Sequence, residues 1–370
     1  MTNFKSVSSA LLLPLSVLFL SFSASGCAKD HPTVDAQKSK GRVVTDMSGR
    51  KVMIPDNIKR VACLEVLGYE KLFLLGQTDK ISVMCSTNAP WMEKTNPKVR
   101  DIPKIVGEPN FEELLNWKID LAFFRYNPEK TLDKLADLGI PGIVSQPLNQ
   151  NIDSAGAFQE SNKKMVRLYG DVFGYAARKK AEEWCTYYDE KIRYVTSRTS
   201  KIPENRRPKV YYLRGPDALT TQGRNTNTLW YGEMAGADMI AKNLGLDGKG
   251  SVSMETMIRW NPEYIFVGRQ YSTDLVLKDA RWRDIKAIKE GKVYSLPEGV
   301  FYWDGSSEGV LLMEFLAKKL HPDLFIDLDM AKEVKDYYLR FYGYRLTDDE
   351  TNKLLQGLSP DGLRKNTYNN

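Results

Sequence analysis

Residues 174–200 read GYAARKKAEEWCTYYDEKIRYVTSRTS, and this stretch decides the fold. Charged residues cover most of it, and Pro203 lies just beyond its end. A helix of roughly 24 residues would be about 36 Å long, longer than most helices that connect two strands. Small or apolar side chains recur mostly at steps of three and four, which places them on one stripe of an α-helix: Ala177, Ala181, Trp184, Cys185, Tyr188, Ile192 and Val195.

The segments on either side of this helix repeat each other. Residues 112–124 read EELLNWKIDLAFF, and residues 255–267 read ETMIRWNPEYIFV. In each, a Glu is followed by Trp five residues later, by an acid three residues after that, and by an apolar run. Each half also begins with an apolar strand, at residues 59–64 and 209–213. This pattern predicts two similar α/β units joined by one stiff helix, with a cleft between two lobes. The alternative is a single α/β domain whose repeat arose by chance.

Length and composition are consistent with two lobes. The chain has 370 residues, enough for two cores, and its hydrophobic and charged fractions are those of a globular protein. The formal net charge of +6 comes without basic runs, which argues against nucleic acid as a partner. It suits an anionic small ligand or an anionic membrane surface equally well.

Residues 1–26 have the composition of a secretory signal peptide. Lys5 precedes an apolar core at residues 10–20, which is too short for a transmembrane helix. The end of the segment resembles a bacterial lipobox, which implies that Cys27 is lipidated and anchors the chain to a membrane. The alternative is plain cleavage to a free periplasmic protein. Residues 27–41 are polar and are predicted to be a flexible tether.

Alternating strands and helices follow, which predicts mostly parallel sheets. We expect an N-terminal lobe at residues 42–150, linking helices at residues 151–200 and a C-terminal lobe at residues 201–360. Cys63 and Cys85 each end a predicted strand, so they are either two buried free thiols or a disulfide.

Several short motifs occur in order between residue 45 and about residue 355. Each is weak alone, but their order and spacing together are specific. They resemble the periplasmic binding proteins that serve ABC importers of iron–siderophore complexes, haem and cobalamin (the ferric enterobactin/cobalamin-binding protein family). The resemblance implies an α/β fold of two Rossmann-like lobes bridged by one long α-helix, with the ligand cleft between the lobes. The motifs are TDMSGRKVMIP at 45–55, IPKIVG at 102–107, LGIP at 138–141, WNPE at 260–263, AIKEGKVY at 287–294 and LHPD at 320–323.

In this family, one surface Glu on each lobe docks onto arginines of the membrane permease. The resemblance implies that these acids are Glu70, six residues before Gly76, and Glu255 in the element Val-Ser-Met-Glu. A fixed pair of carboxylates gives a two-point charge match. The alternative is that both are ordinary solvated helix acids. Glu255 would then lie in the first turn after an N-capping Ser253, where the helix dipole favours an acid.

Ligands of open α/β lobes bind beyond the carboxyl ends of the strands. Arg125, Arg214 and Arg269 each follow a predicted core strand by one or two residues. Guanidinium groups suit carboxylate or catecholate oxygens. Family members that hold ferric catecholates use such an arginine cluster, and the resemblance implies this role here; the alternative is three solvated loop arginines. Aromatic side chains of the same loops complete the predicted ligand site: Trp91, Tyr126, Tyr271, Tyr302 and Trp303. Those at residues 301–303 could be a wall of the cleft or part of the core.

The sequence argues against an enzyme, because it shows no Ser-His-Asp set, G-x-S-x-G element, phosphate-binding glycine loop or Cys-x-x-Cys motif. Its two histidines, His31 and His321, are not placed for the cleft. A bare divalent metal held by His is therefore not expected, and no metal ligands or cofactors are predicted. A structural surface lipoprotein or adhesin would not need two matched lobes.

The expected function is therefore binding of an anionic metal chelate outside the cytoplasmic membrane. The chelate would be delivered to the permease and ATPase of an ABC importer. An iron(III) siderophore is the first expectation, because the arginines require an anion. Haem, cobalamin and nickel or cobalt chelates are the alternatives.

Overall fold

The computed structural model describes residues 41–126, 128–146 and 152–365. The chain divides into the units Met1–Ser39 and Lys40–Asn370, and the described residues belong to the second. The predicted signal peptide, Cys27 and nearly all of the predicted tether lie outside the described residues. Every helix in the described ranges is too short or too polar to span a lipid bilayer.

The first lobe consists of a hairpin and a parallel sheet. Strands β1 and β2 pair antiparallel and form the hairpin. The sheet has the strand order β5-β4-β3-β6-β7, and all of its pairings are parallel. The elements are β1 Gly41–Thr45, β2 Lys51–Pro55, β3 Val61–Cys63, α1 Gly68–Leu74, β4 Ile81–Cys85, α2 Met92–Thr95, β5 Lys104–Ile105, α3 Phe111–Asn116, β6 Leu121–Phe124, α4 Glu129–Asp137 and β7 Gly142–Val144.

Two long helices connect the lobes: α5, Ala155–Phe173, and α6, Tyr175–Thr199. Gly174 separates them and has φ = +87°, a conformation that glycine adopts at little cost. All seven residues of the predicted stripe are buried, so the predicted helix and its buried face are confirmed. The two helices pack closely, since a Cβ on Gly170 would lie 2.9 Å from the Ala181 Cβ.

The second lobe has a parallel sheet of strand order β10-β8-β12-β13 and a small antiparallel pair, β9 with β11. Its elements are β8 Lys209–Leu213, β9 Thr220–Gln222, α7 Asn227–Met234, β10 Asp238–Met239, β11 Lys249–Ser251, α8 Met254–Trp260, β12 Tyr264–Val267, α9 Asp274–Leu277, α10 Lys286–Lys289, β13 Val293–Ser295, α11 Gly309–Leu320, α12 Met330–Tyr337 and α13 Asp348–Leu355. A π-helical turn, Tyr338–Tyr342, continues α12.

The mixed α/β architecture with parallel sheets and a long helix is confirmed. Residues 279–290 form a 3₁₀ turn at Ala280–Trp282 followed by the short α10. Between them Ile285 is extended, because both Trp282 and Ile285 are buried in one apolar cluster of the second lobe. The predicted lobe boundaries inside residues 42–360 stay predictions.

Buried contacts join the two lobes directly. The Tyr69 hydroxyl donates to the Val300 carbonyl at 2.7 Å, and the Trp91 amide donates to the Gly299 carbonyl at 3.2 Å. The C-terminal segment packs across the same region, where the Trp184 indole donates to the Tyr337 hydroxyl at 3.1 Å. These contacts place α1 and the segment after β4 against the loop after β13, next to the site described below.

Candidate functional site

Three arginines lie at the strand ends that were predicted from the sequence. Arg125 directly follows β6, Arg214 directly follows β8, and Arg269 lies two residues beyond β12. The carboxyl ends of parallel strands lie at one edge of each sheet, so these side chains emerge where a ligand of such a fold would bind. Their role in binding stays a prediction.

Arg269 is the most constrained of the three. Its Nε and Nη2 bind the two oxygens of Asp304, at 2.9 and 2.5 Å. Its guanidinium lies over the Tyr302 ring, 4.2 Å from the centroid, an arrangement in which cation–π attraction is favourable. Burial lowers the pKa of Arg269, but Asp304, Tyr212 and Glu298 together outweigh burial and raise it.

Asp304 contacts three polar side chains of the second lobe. Besides Arg269, its Oδ2 accepts a hydrogen bond from the Tyr212 hydroxyl at 2.6 Å and lies 3.8 Å from Arg214 Nε. The Asp304 side chain is only 2% exposed. One buried carboxylate is therefore shared by two guanidinium groups.

A second buried acid, Glu298, lies against the same cluster of side chains. Its carboxylate accepts hydrogen bonds from the backbone amides of Arg269 and Trp303. Burial raises the pKa of Glu298 well above its usual range, and repulsion from Asp304 raises it further. Both effects favour the neutral acid.

The first lobe contributes Arg125 and Tyr126. Arg125 Nε donates to the Gln146 side-chain oxygen at 3.1 Å, and the guanidinium lies 4.9 Å from the Tyr126 ring centroid. Tyr126 is 41% exposed. Both residues are accessible, as a rim around a ligand requires.

Tyr271 occupies a position fixed by Gly215. A Cβ on Gly215 would lie 2.1 Å from Tyr271 Cε2, so only glycine allows the ring to approach this closely. Tyr271 is partly buried and Tyr302 is buried beneath Arg269. Each therefore supports the rim more than it forms an open wall.

The cleft positions predicted for Trp91 and Trp303 are wrong. Both side chains are fully buried in the main core. The Trp91 indole donates to the Leu358 carbonyl at 3.0 Å, which ties the first lobe to the C-terminal segment. Residues 301–303 could have formed a wall of the cleft or part of the core, and Trp303 is part of the core.

The surface position predicted for Glu70 is also wrong. Glu70 is fully buried, and its carboxylate accepts hydrogen bonds from Lys71 Nζ at 2.6 Å, Ser307 Oγ at 3.3 Å and Tyr342 OH at 2.8 Å. A carboxylate that is enclosed and satisfied in this way is not available to a membrane partner.

Glu255 is exposed, and its counterpart on the first lobe is Glu112. Glu255 lies in the first turn of α8, where Ser253 Oγ caps the helix by accepting from the Thr256 amide at 3.1 Å. Glu112 is exposed in the first turn of α3, which Asn110 caps. The internal repeat pairs Glu112 with Glu255. The equivalent positions of these two acids could therefore have been read from the sequence.

A small cavity lies between the lobes, behind the arginines. Its polar lining includes Lys71 and Gln146 of the first lobe and Ser306 and Ser307 of the second. Phe158 of α5 belongs to its apolar wall. Lys71 could not be identified from sequence, because its burial depends on contacts with distant parts of the chain.

The described cysteines are free thiols. Cys63 and Cys85 therefore do not form a disulfide in this structure. Burial raises the pKa of Cys85 to about 11. Among the described residues, no cluster of three or more His, Cys, Asp or Glu side chains could hold a metal ion.

Comparison with known proteins identifies one family. The profile described as "Periplasmic binding protein" matches residues 61–300. The molybdate-binding protein MolA of Haemophilus influenzae is 29% identical, over 81% of this chain and 91% of its own. The ABC transporter substrate-binding lipoprotein YvrC of Bacillus subtilis is 27% identical, over 81% of this chain and 93% of its own. The iron(3+)-hydroxamate-binding protein FhuD of the same organism is 26% identical over 73% and 83%.

Solved structures agree with this assignment. MolA bound to molybdate superimposes with a TM-score of 0.73 and 27% identity, over 83% of this chain and 99% of the other. A periplasmic solute-binding protein of Veillonella parvula gives a TM-score of 0.72 and 25% identity, over 85% and 97%.

Proposed function

The chain belongs to the periplasmic binding protein family, and we propose that it captures an anionic, oxygen-rich metal species in the cleft and delivers it to the permease of an ABC importer. Solute-binding proteins of this class work with a permease and an ATPase, and they are not enzymes. The observation that carries the proposal is the arginine rim. Arg125, Arg214 and Arg269 each follow the carboxyl end of a parallel strand, and Asp304 is the carboxylate shared by Arg214 and Arg269.

The first candidate ligand is a metal oxyanion of the molybdate type. Two observations support it. The relative with 29% identity is named for molybdate, and Arg214 and Arg269 present two guanidinium groups that share the one carboxylate of Asp304. Guanidinium groups are suited to binding the oxygens of an oxyanion.

The second candidate is the iron(III) chelate expected from the sequence. It is supported by the likeness to relatives named for ferric hydroxamate and for petrobactin. The exposed pair Arg125 and Tyr126 could contact a larger ligand at the mouth of the cleft.

A tryptophan-fluorescence titration of the purified protein tests the proposal and separates the candidates. The panel is molybdate, a ferric hydroxamate, a ferric tris-catecholate, haem and cobalamin. Saturable quenching by molybdate or by a ferric complex supports the function and identifies the class. A response to haem or cobalamin alone would keep the transport role and overturn both candidates. No response to the whole panel would contradict the proposal.

We also propose that Glu112 and Glu255 dock onto the permease. The proposal rests on their exposure and on their equivalent places in the two lobes, each in the first turn of a short helix. It replaces the predicted pair of Glu70 and Glu255, of which Glu70 is buried.

The site of lipid attachment proposed for this chain is Cys27. Support comes from the lipobox-like end of the predicted signal peptide and from the relative named a substrate-binding lipoprotein. Membrane fractionation of cells that express the parent or Cys27→Ser tests this proposal. Loss of the variant from the membrane fraction supports it, and equal partitioning of both contradicts it.

A further inference from the structure

The cavity behind the arginines contains a buried cation. Lys71 follows Glu70 on α1, and its side chain is 4% exposed. A buried ammonium is costly unless it is paired, and Glu70 Oε2 provides the pairing at 2.6 Å. An ammonium carries three N–H donors, so two remain for other acceptors.

Glu70 is in turn held in place by two hydroxyl donors. Ser307 of the second lobe donates to Oε2 at 3.3 Å, and Tyr342 of the C-terminal segment donates to Oε1 at 2.8 Å. The Glu70 carboxylate therefore fixes Lys71 at the boundary between the lobes. Lys71, Ser306, Ser307 and Asn227 all line the cavity, so it combines one cation with several neutral hydrogen-bonding groups.

The cavity is adjacent to the arginine rim on both lobes. Gln146 lines the cavity and accepts the hydrogen bond from Arg125. Gly305 also lines it, and a Cβ there would lie 3.4 Å from Arg269 Nη2. Residues of the cavity lining therefore contact Arg125 on one lobe and lie next to Arg269 on the other.

The size of the cavity restricts its occupant. Its volume of ≈ 30 Å³ corresponds to about two water positions. A siderophore complex is far larger. A compact oxyanion fits if the flanking side chains or the lobes move apart slightly, a change that is common at binding sites.

We propose that this inner cavity binds a tetrahedral oxyanion, with the Lys71 ammonium as its charged donor and the Ser306 hydroxyl and the Asn227 side-chain amide as neutral donors. The inference rests on the proposed function and assigns the oxyanion to this cavity instead of to the arginine rim. Glu70 competes with the bound anion for Lys71, so the two residues of the pair have opposite effects on affinity.

Isothermal titration of the full chain with molybdate tests the assignment. Lys71→Met removes the charged donor and should weaken binding by about 10-fold or more. Glu70→Gln removes the competing charge and should tighten binding by about several-fold. Lys98→Met is the matched control, because Lys98 is exposed and pairs with Asp79 at 2.6 Å on the outside of the same lobe; its affinity should equal that of the parent.

The opposite signs distinguish a binding role from a defect in folding, because both substitutions disturb the same buried pair. Unchanged affinity in Lys71→Met, or weakening by both variants, would overturn the assignment while leaving the proposed function in place. Binding of a ferric complex without binding of molybdate would likewise overturn only the oxyanion site. If neither molybdate nor any chelate binds the parent, both proposals fail.

Discussion

Arg269 and Asp304 form a bidentate ion pair at the edge of the cleft, with Nε–Oδ2 and Nη2–Oδ1 distances of 2.9 and 2.5 Å. The pair is largely enclosed, because the two side chains are 14% and 2% exposed. Bidentate pairs of this kind fix orientation as well as charge. Arg269 is therefore held as part of the wall, whereas Arg125 is exposed and bonds to Gln146.

Replacement of Asp304 should destabilise the fold. Asp304→Ala leaves Arg269 and the Tyr212 hydroxyl without their shared acceptor, and loss of one partner of a buried ion pair costs about 3 kcal/mol or more. Urea denaturation measures the free energy of unfolding. Asp348→Ala is the control, since Asp348 is exposed and should leave the denaturation midpoint unchanged. Equal midpoints for Asp304→Ala and the parent would show that the pair contributes nothing to stability.

Arg125 should matter for binding but not for stability. Arg125→Ala removes an exposed cation of the rim, so we expect affinity for the anionic ligand to fall by about 10-fold with an unchanged melting temperature. The titration described above measures the affinity, and calorimetry measures the melting temperature. Arg281→Ala removes an exposed cation that pairs with Asp279, and it should change neither quantity. The rim account fails if both variants bind as the parent does.

Stability should fall as pH rises, in part because of Glu314. Burial raises the pKa of Glu314 from 4.5 to about 8, although Lys191 opposes the shift. Between those two values the folded state holds a proton that the unfolded state has released, so this contribution is complete below about pH 4.5 and is lost as pH approaches 8. Lys191 Nζ lies 3.4 Å from Glu314 Oε1, and this contact offsets only part of the effect of burial.

Glu314→Gln removes this titration and should flatten the decline. Melting temperatures at pH 5.5 and 8.5 provide the measurement, and the variant should lose less than the parent between them. Glu308 has a pKa raised in the same way and remains in both proteins, so the difference between them isolates Glu314. Glu183→Gln, on the exposed face of α6, should behave as the parent does. A steeper decline in Glu314→Gln would contradict the assignment.

Docking on the permease should require Glu112 and Glu255 together. The double variant Glu112→Gln/Glu255→Gln should bind solute normally but reduce uptake several-fold when reconstituted with the importer, because it lacks both contact charges. Glu113→Gln/Glu255→Gln is the matched control for the first lobe, since Glu113 is the exposed neighbour of Glu112. Equal uptake by the two double variants would argue against Glu112.

The features that could be predicted from sequence depend on local periodicity. The buried stripe of α6 follows from residue spacing alone, and Arg125, Arg214 and Arg269 follow from the ends of apolar strands. These positions are determined by neighbours within a few residues, which is why they agree with the structure.

The errors concern residues whose environment is set by distant parts of the chain. Glu70 is buried by Ser307 and Tyr342, which are 237 and 272 residues away. Trp91 bonds to Leu358, 267 residues away. Each lies in a segment that is typical of a helix face or loop near the surface, and only the packing of the C-terminal segment across the lobes encloses it.

The most direct test of the central claim is to locate the bound metal by anomalous diffraction. Crystals grown with molybdate, and separately with a ferric hydroxamate, would be measured at the absorption edge of each metal. The account predicts a peak between the lobes, bounded by Arg125 on one side and by Arg214 and Arg269 on the other, or just behind them next to Lys71. Peaks confined to the outer surface, or none between the lobes in either crystal, would contradict it.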